Sequence, residues 1–176
     1  MPQSILVAIF TFVILLLMAG TFLFFYFRGL LHEVHEKWEL VLDNLRLRLD
    51  KIPNLVETVR ALAPGQEELV AELARLRAGS WQMVESGGSK VNRELEISEK
   101  LNDVWNLHGQ FPGLEKDTNY LALKNEFKEV SKEIEKVLED YNGQVRAYNK
   151  SVGNLLMRPF AMIFRISRLP VFEFEA

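Results

Sequence analysis

The sequence predicts an all-α protein, an N-terminal transmembrane helix continuing into an antiparallel four-helix bundle. Three observations predict it. Residues 1–27 carry no charged side chain, so all 21 Lys+Arg and 24 Asp+Glu of the 176 residues lie beyond them. From residue 31 onward the apolar residues recur at spacings of three and four, the period of a helix face. No run alternates with period two for long enough to make a sheet.

Ile5 to Phe27 is 23 uncharged residues. At 1.5 Å per residue it reaches roughly 34 Å, enough for a hydrocarbon layer of about 30 Å. A cleaved signal peptide fits less well, because Met-Pro-Gln-Ser offers no basic n-region and the apolar run is too long. Tyr26 and Phe27 suit headgroup depth and Arg28 stops the span. Basic residues come after the span (Arg28, Lys37, Arg46, Arg48) and none precede it. Lys/Arg asymmetry therefore puts the N-terminus outside and residues 28–176 in the cytoplasm, making a single-pass protein of the cell membrane.

After the span, Leu31, Val34, Trp38, Val41, Leu45, Leu49 and Ile52 form one face, and the membrane helix is expected to run on to about Lys51. Pro53 should end it, since proline removes a donor and disfavours helix before it. The next stripe, Leu55, Val59, Leu62, Leu69, Leu73 and Leu76, keeps its seven-residue phase across Ala63-Pro64-Gly65. That phase predicts a kinked helix or two collinear pieces rather than a chain reversal, with Gln66-Glu67-Glu68 as a restarted first turn. Ser86-Gly87-Gly88-Ser89 is a linker signal. Ile97, Leu101, Val104, His108 and Phe111, with Trp105 beside them, make the third stripe, closed by Phe111-Pro112-Gly113. Asp117 or Thr118 can cap the last long helix. Its stripe is the longest: Tyr120, Leu123, Phe127, Val130, Ile134 and Val137, then Tyr141, Val145, Tyr148, Val152 and Leu155. The doubled four-residue step within it is a stutter that relaxes a coiled coil. The division is 1–28 transmembrane helix, 29–157 bundle, 158–176 tail.

Several stretches are similar to the LemA family. Arg48-Leu49-Asp50-Lys51-Ile52-Pro53-Asn54-Leu55-Val56-Glu57-Thr58-Val59 resembles the family's junction between its first two helices. Asn119-Tyr120-Leu121-Ala122-Leu123 resembles its Asn-aromatic-Leu entry to the last helix. Tyr141-Asn142, Val145 and Tyr148-Asn149 match Tyr-Asn-x-x-Val-x-x-Tyr-Asn. Departures lie at 79–112 and near the C-terminus, where Arg158-Pro159-Phe160 and Phe164-Arg165-Ile166 stand in place of the usual Phe-Pro and Gly-Phe. The resemblance implies a single-pass protein of bacterial type with a four-helix cytoplasmic bundle. It brings no catalytic residues, because the family has no established enzymatic activity.

Candidate chemistry is sparse. Cys is absent and His occurs three times, at 32, 35 and 108. His32-Glu33-Val34-His35-Glu36 lacks the His-Glu-x-x-His order of a metalloprotease, and the bundle lacks the paired Glu-x-x-His of a di-iron site. The segment fits a polar collar below the headgroups, and neither metal nor cofactor is expected. Asn54, Asn142 and Asn149 suit register-fixing roles, and Tyr141 and Tyr148 suit core rings. With Asp50, Ile52, Pro53, Asn54, Leu55 and Val56 they are the family-motif positions. A net charge of −3 gives no warrant for a nucleic-acid partner.

The tail departs from the rest. Residues 28–140 hold 16 basic and 22 acidic side chains, whereas 141–172 hold Arg146, Lys150, Arg158, Arg165 and Arg168 and no acid. Leu155, Leu156, Met157, Phe160, Met162, Ile163, Phe164, Ile166, Leu169 and Phe172 interleave with them. This composition suits a segment lying in a membrane interface, with Arg28, Arg158, Arg165, Arg168, Phe160 and Phe164 as its contacts. Packing against the bundle, or against a second copy in a homo-oligomer, is the competing reading. Membrane lipid and an unidentified protein are the expected partners. Two functions fit these features, a non-enzymatic scaffold or adaptor, and an envelope sensor signalling through the membrane helix.

Overall fold

A computed structural model describes residues 3–85, 91–155 and 157–172. The Ser86–Ser89 linker, Leu156 and the closing acids Glu173 and Glu175 lie outside the described residues. Those residues form helices α1 (Gln3–Leu62), α2 (Glu67–Glu85), α3 (Val91–Asn106), α4 (Pro112–Lys116), α5 (Thr118–Gly153) and α6 (Arg158–Ile163). A 3₁₀ turn, Leu107–Gly109, precedes α4. No strand occurs among the described residues, so the protein is all-α.

The chain divides into two compact units, each with parts of α1 and α5. The first holds the residues up to Lys37 and Tyr141–Val171. Its α1 portion is long and apolar enough to cross a membrane, and none of that stretch is buried by the rest of the chain. A lipid-facing helix must satisfy every polar group internally. The two threonines do so, Thr11 Oγ1 donating to Val7 O and Thr21 Oγ1 to Leu17 O, both at 2.9 Å. Past the apolar run, Phe27 and Val34 on α1 and Tyr141, Val145, Tyr148 and Val152 on α5 are buried.

Of the described residues, the second unit holds those within Trp38–Asp140 and Phe172. The core comes from four helices: Leu49, Ile52, Leu55 and Val59 of α1, Val70 and Leu73 of α2, Ile97 and Val104 of α3, and Tyr120 and Ile134 of α5. Each such side chain contributes about 1.5–3 kcal/mol by leaving water. Trp105 packs edge-on to Phe127, centroids 5.5 Å apart, and against Tyr120 at 5.7 Å. Asp117 caps α5, its Oδ1 accepting the Tyr120 N–H at 2.7 Å, as the sequence predicts. Pro112 starts α4 from the first turn, where its missing N–H costs nothing.

Two expectations are overturned. Helix α1 does not end at Pro53 but runs through it to Leu62. Pro53 is exposed, so its ring meets solvent. Its missing N–H leaves the carbonyl four residues back, on fully buried Leu49, without a helical donor. Arg77 of α2 supplies one, its Nε donating to Leu49 O at 2.9 Å. The proline therefore vacates an acceptor that a neighbouring helix occupies.

The second correction concerns Ala63-Pro64-Gly65. Collinear pieces would hold residues 49 and 77 roughly 40 Å apart. Their hydrogen bond requires the chain to fold back between α1 and α2. Gly65, at φ +89°, supplies the left-handed residue of the reversal. Leu55, Val59 and Leu62 consequently belong to α1, not to a second helix. Gln66-Glu67-Glu68 does restart a helix, with Val70 N donating to Gln66 O at 3.1 Å and both glutamates in the first turn.

Candidate functional site

Basic and aromatic side chains gather in the first unit, where the apolar run of α1 ends. Arg28 lines a cavity of about 430 Å³ whose walls include Phe24, Phe27, Leu31, Tyr148 and Phe164. Most of its lining residues are apolar, with Arg28 among them. His32 and His35 complete the polar side. His32 Nε2 stands 3.4 Å from Glu36 Oε1, and His35 Nδ1 meets Leu31 O at 2.7 Å. Among the described residues no three His, Asp or Glu side chains converge as a metal site would need.

The tail packs here. Helix α6 ends in a Schellman arrangement, Ile166 N donating to Ala161 O at 2.8 Å and Arg165 N to Met162 O at 3.3 Å. Arg165 takes the left-handed position at φ 54°, where glycine is the usual occupant. The reversal sends residues 166–169 back along α5. There Asn149 grips the backbone at both ends of its amide: Nδ2 donates to Leu169 O and Oδ1 accepts the Leu169 N–H, both at 2.8 Å. Phe164 meets Phe24 of the apolar run at 5.8 Å between centroids. Tyr26 and Ser151 hydroxyls lie 3.4 Å apart.

Ala161 is buried and Phe160 half-buried, while Leu155, Met162 and Ile163 project, each more than 70% exposed. The tail both packs on its own unit and presents an apolar rim. Arg158 and Arg168 line a second cavity of about 430 Å³ with Val152, Gly153, Met162 and Ile166.

The family-motif residues fall into two groups. Ile52, Leu55 and Val56 are buried core, while Asp50, Pro53 and Asn54 are exposed. Asn54 is therefore no buried register residue; its carbonyl accepts the Thr58 hydroxyl at 2.8 Å, which in turn accepts Asn119 Nδ2 at 2.8 Å. Tyr141, Asn142 and Tyr148 are buried, and Asn149 is half-buried at the tail. Burial pushes the phenols of Tyr120, Tyr141 and Tyr148 above their ordinary pKa. A hydrogen bond to Asp103, with the charge of Glu72, holds the Lys100 ammonium above its own.

Three features escape the sequence reading. Arg48 is 1% exposed, with Nη1 donating to Ser98 Oγ at 3.2 Å. Its signal was its place one heptad from both Val41 and Leu55. Arg77 has no local signal, because its partner is a carbonyl freed by a distant proline. Gly153 reads as an ordinary helix end, yet a Cβ there would stand 2.6 Å from Arg168 Nη2.

A search of curated proteins gave no match. The LemA family profile matches residues 37–176, most of the chain and all of the motif positions above, so the chain belongs to the LemA family.

Proposed function

We propose that this protein is a non-enzymatic, single-pass scaffold or adaptor of the cell membrane, with its N-terminus outside and an antiparallel four-helix bundle in the cytoplasm. The observation that carries the proposal is α1, in which an exposed apolar span passes without a helix break into the buried stripe of a bundle. Membrane association is the first consequence of such a helix. Lys/Arg asymmetry supports the orientation. The antiparallel arrangement is supported within the second unit, where Lys51 pairs with Glu126 at 2.6 Å and Thr58 with Asn119. Partner numbers fall along α5 as they rise along α1. The absence of Cys and the count of three His support a role in binding rather than catalysis.

The projecting Leu155, Met162 and Ile163, beside Arg28, Arg158, Arg165 and Arg168, support a tail lying on the cytoplasmic leaflet. The unbroken α1 also favours a second reading, an envelope sensor working through the membrane helix. Proximity labelling of the full chain in native membranes separates the two. A scaffold holds one stoichiometric protein partner under all growth conditions, and a sensor gains or loses it under envelope stress. Orientation is tested in intact cells, where residues 28–176 should resist external protease. Cleavage without lysis would contradict the topology.

A further inference from the structure

The cavity bearing Arg158 and Arg168 asks for an anion. Two arginines share its lining, and no acidic residue does among the described residues. Residues 141–172 supply no acid at all. Both arginines are exposed, and an anion at the cavity would be attracted to each of them. The C-terminal carbonyls of α5 attract one cation with about half an elementary charge, which can account for Arg168 over Gly153 but not for a second arginine.

The backbone beside Arg168 is held in place. Asn149 fixes the backbone of the next residue with two hydrogen bonds. Gly153 leaves open the space the guanidinium fills, its Nη2 lying 2.6 Å from the site of a Cβ. The left-handed turn at Arg165 returns the chain so that Arg168 lines the same cavity as Arg158.

Neighbouring features identify the anion's chemistry. Guanidinium groups suit phosphate, whose oxygens accept paired N–H donors. The adjoining cavity, which shares Ile166, is walled by Phe24, Phe27, Leu31 and Phe164. Phe24 belongs to the apolar run of α1, and Phe164 touches it. An apolar lane beside two arginines, at the end of a membrane helix, fits a lipid rather than a free phosphate. We propose that Arg158 and Arg168 bind the phosphate of an anionic phospholipid whose apolar part lies in the Phe24–Phe164 cavity. This rests on the interfacial reading of the tail and sharpens it from a diffuse attraction to one site.

The test uses the full chain in detergent micelles, titrated with phosphatidylglycerol, phosphatidylcholine or inorganic phosphate and read by native mass spectrometry. Phosphatidylglycerol should bind at least tenfold more tightly than phosphatidylcholine. Arg158→Gln and Arg168→Gln should each weaken it at least tenfold, with helix content by circular dichroism unchanged. Lys150→Gln, an equal charge change on exposed α5, should stay within twofold. If Lys150→Gln loses as much as the arginine variants, the defined site is wrong while the interfacial reading survives. Equal binding of both lipids overturns both. Displacement of phosphatidylglycerol by an equal concentration of inorganic phosphate overturns the lipid assignment.

Discussion

Single residues here act through the backbone groups they satisfy. Tyr120 is 1% exposed, and its hydroxyl donates to Val104 O at 3.1 Å, tying α5 to α3. Tyr120→Phe should cost about 0.5–1.5 kcal/mol in chemical unfolding. Because folding raises this pKa, and those of Tyr141 and Tyr148, stability should hold below about pH 10 and fall as pH climbs through the raised values. The phenylalanine variant, with one phenol fewer to ionise, should show a shallower alkaline fall; an identical profile would contradict the assignment. Asn149 is a second case. Asn149→Ala removes both bonds to Leu169, and amide exchange at Leu169 should quicken by about tenfold or more, at about 1 kcal/mol for each bond. Unchanged protection there would mean that the tail is held by other contacts. Asn149 was visible as a motif residue, but its partner was not, since 20 residues and a left-handed turn separate them in the chain.

At the scale of elements, the apolar spacing locates helices well and their ends poorly. The 3-4 stripes mark α3 and α5, and Asp117 marks the start of α5, because each of these signals is local. Pro53 misleads because its cost depends on what satisfies Leu49 O, and that donor arrives from α2. The phase across Ala63–Gly65 misleads because seven-residue continuity survives a reversal as readily as a bend. Gly65 at φ +89° is the decisive local fact, and glycine composition alone does not reveal a dihedral angle. A double-mutant cycle tests the coupling. Arg77→Ala should cost about 1–3 kcal/mol by stranding a buried carbonyl. In a Pro53→Ala background the restored N–H can serve Leu49 O, so the cost of Arg77→Ala should shrink by about 1 kcal/mol. Additive effects would show that the proline and the arginine do not share that carbonyl.

For the whole molecule, a chain of 176 residues spends its first 27 on an uncharged stretch, and the same helix then supplies both units with buried side chains. Membrane association was the most legible property, since length and absence of charge are enough for it. The tail was the least legible. Its composition fits an interface and packing on its own unit, and the structure shows the packing, with Ala161 buried while Met162 and Ile163 are exposed.

The central claim is that the tail returns to the membrane surface beside the end of the span. The chain has no cysteine, so a nitroxide placed by Met162→Cys is unambiguous. In full-length protein in anionic nanodiscs, its oxygen-to-nickel-chelate accessibility should lie between that of Ile14→Cys, deep in the span, and that of Lys132→Cys, on an exposed polar face. A value at position 162 equal to that at Lys132 would place the tail in water and contradict the account.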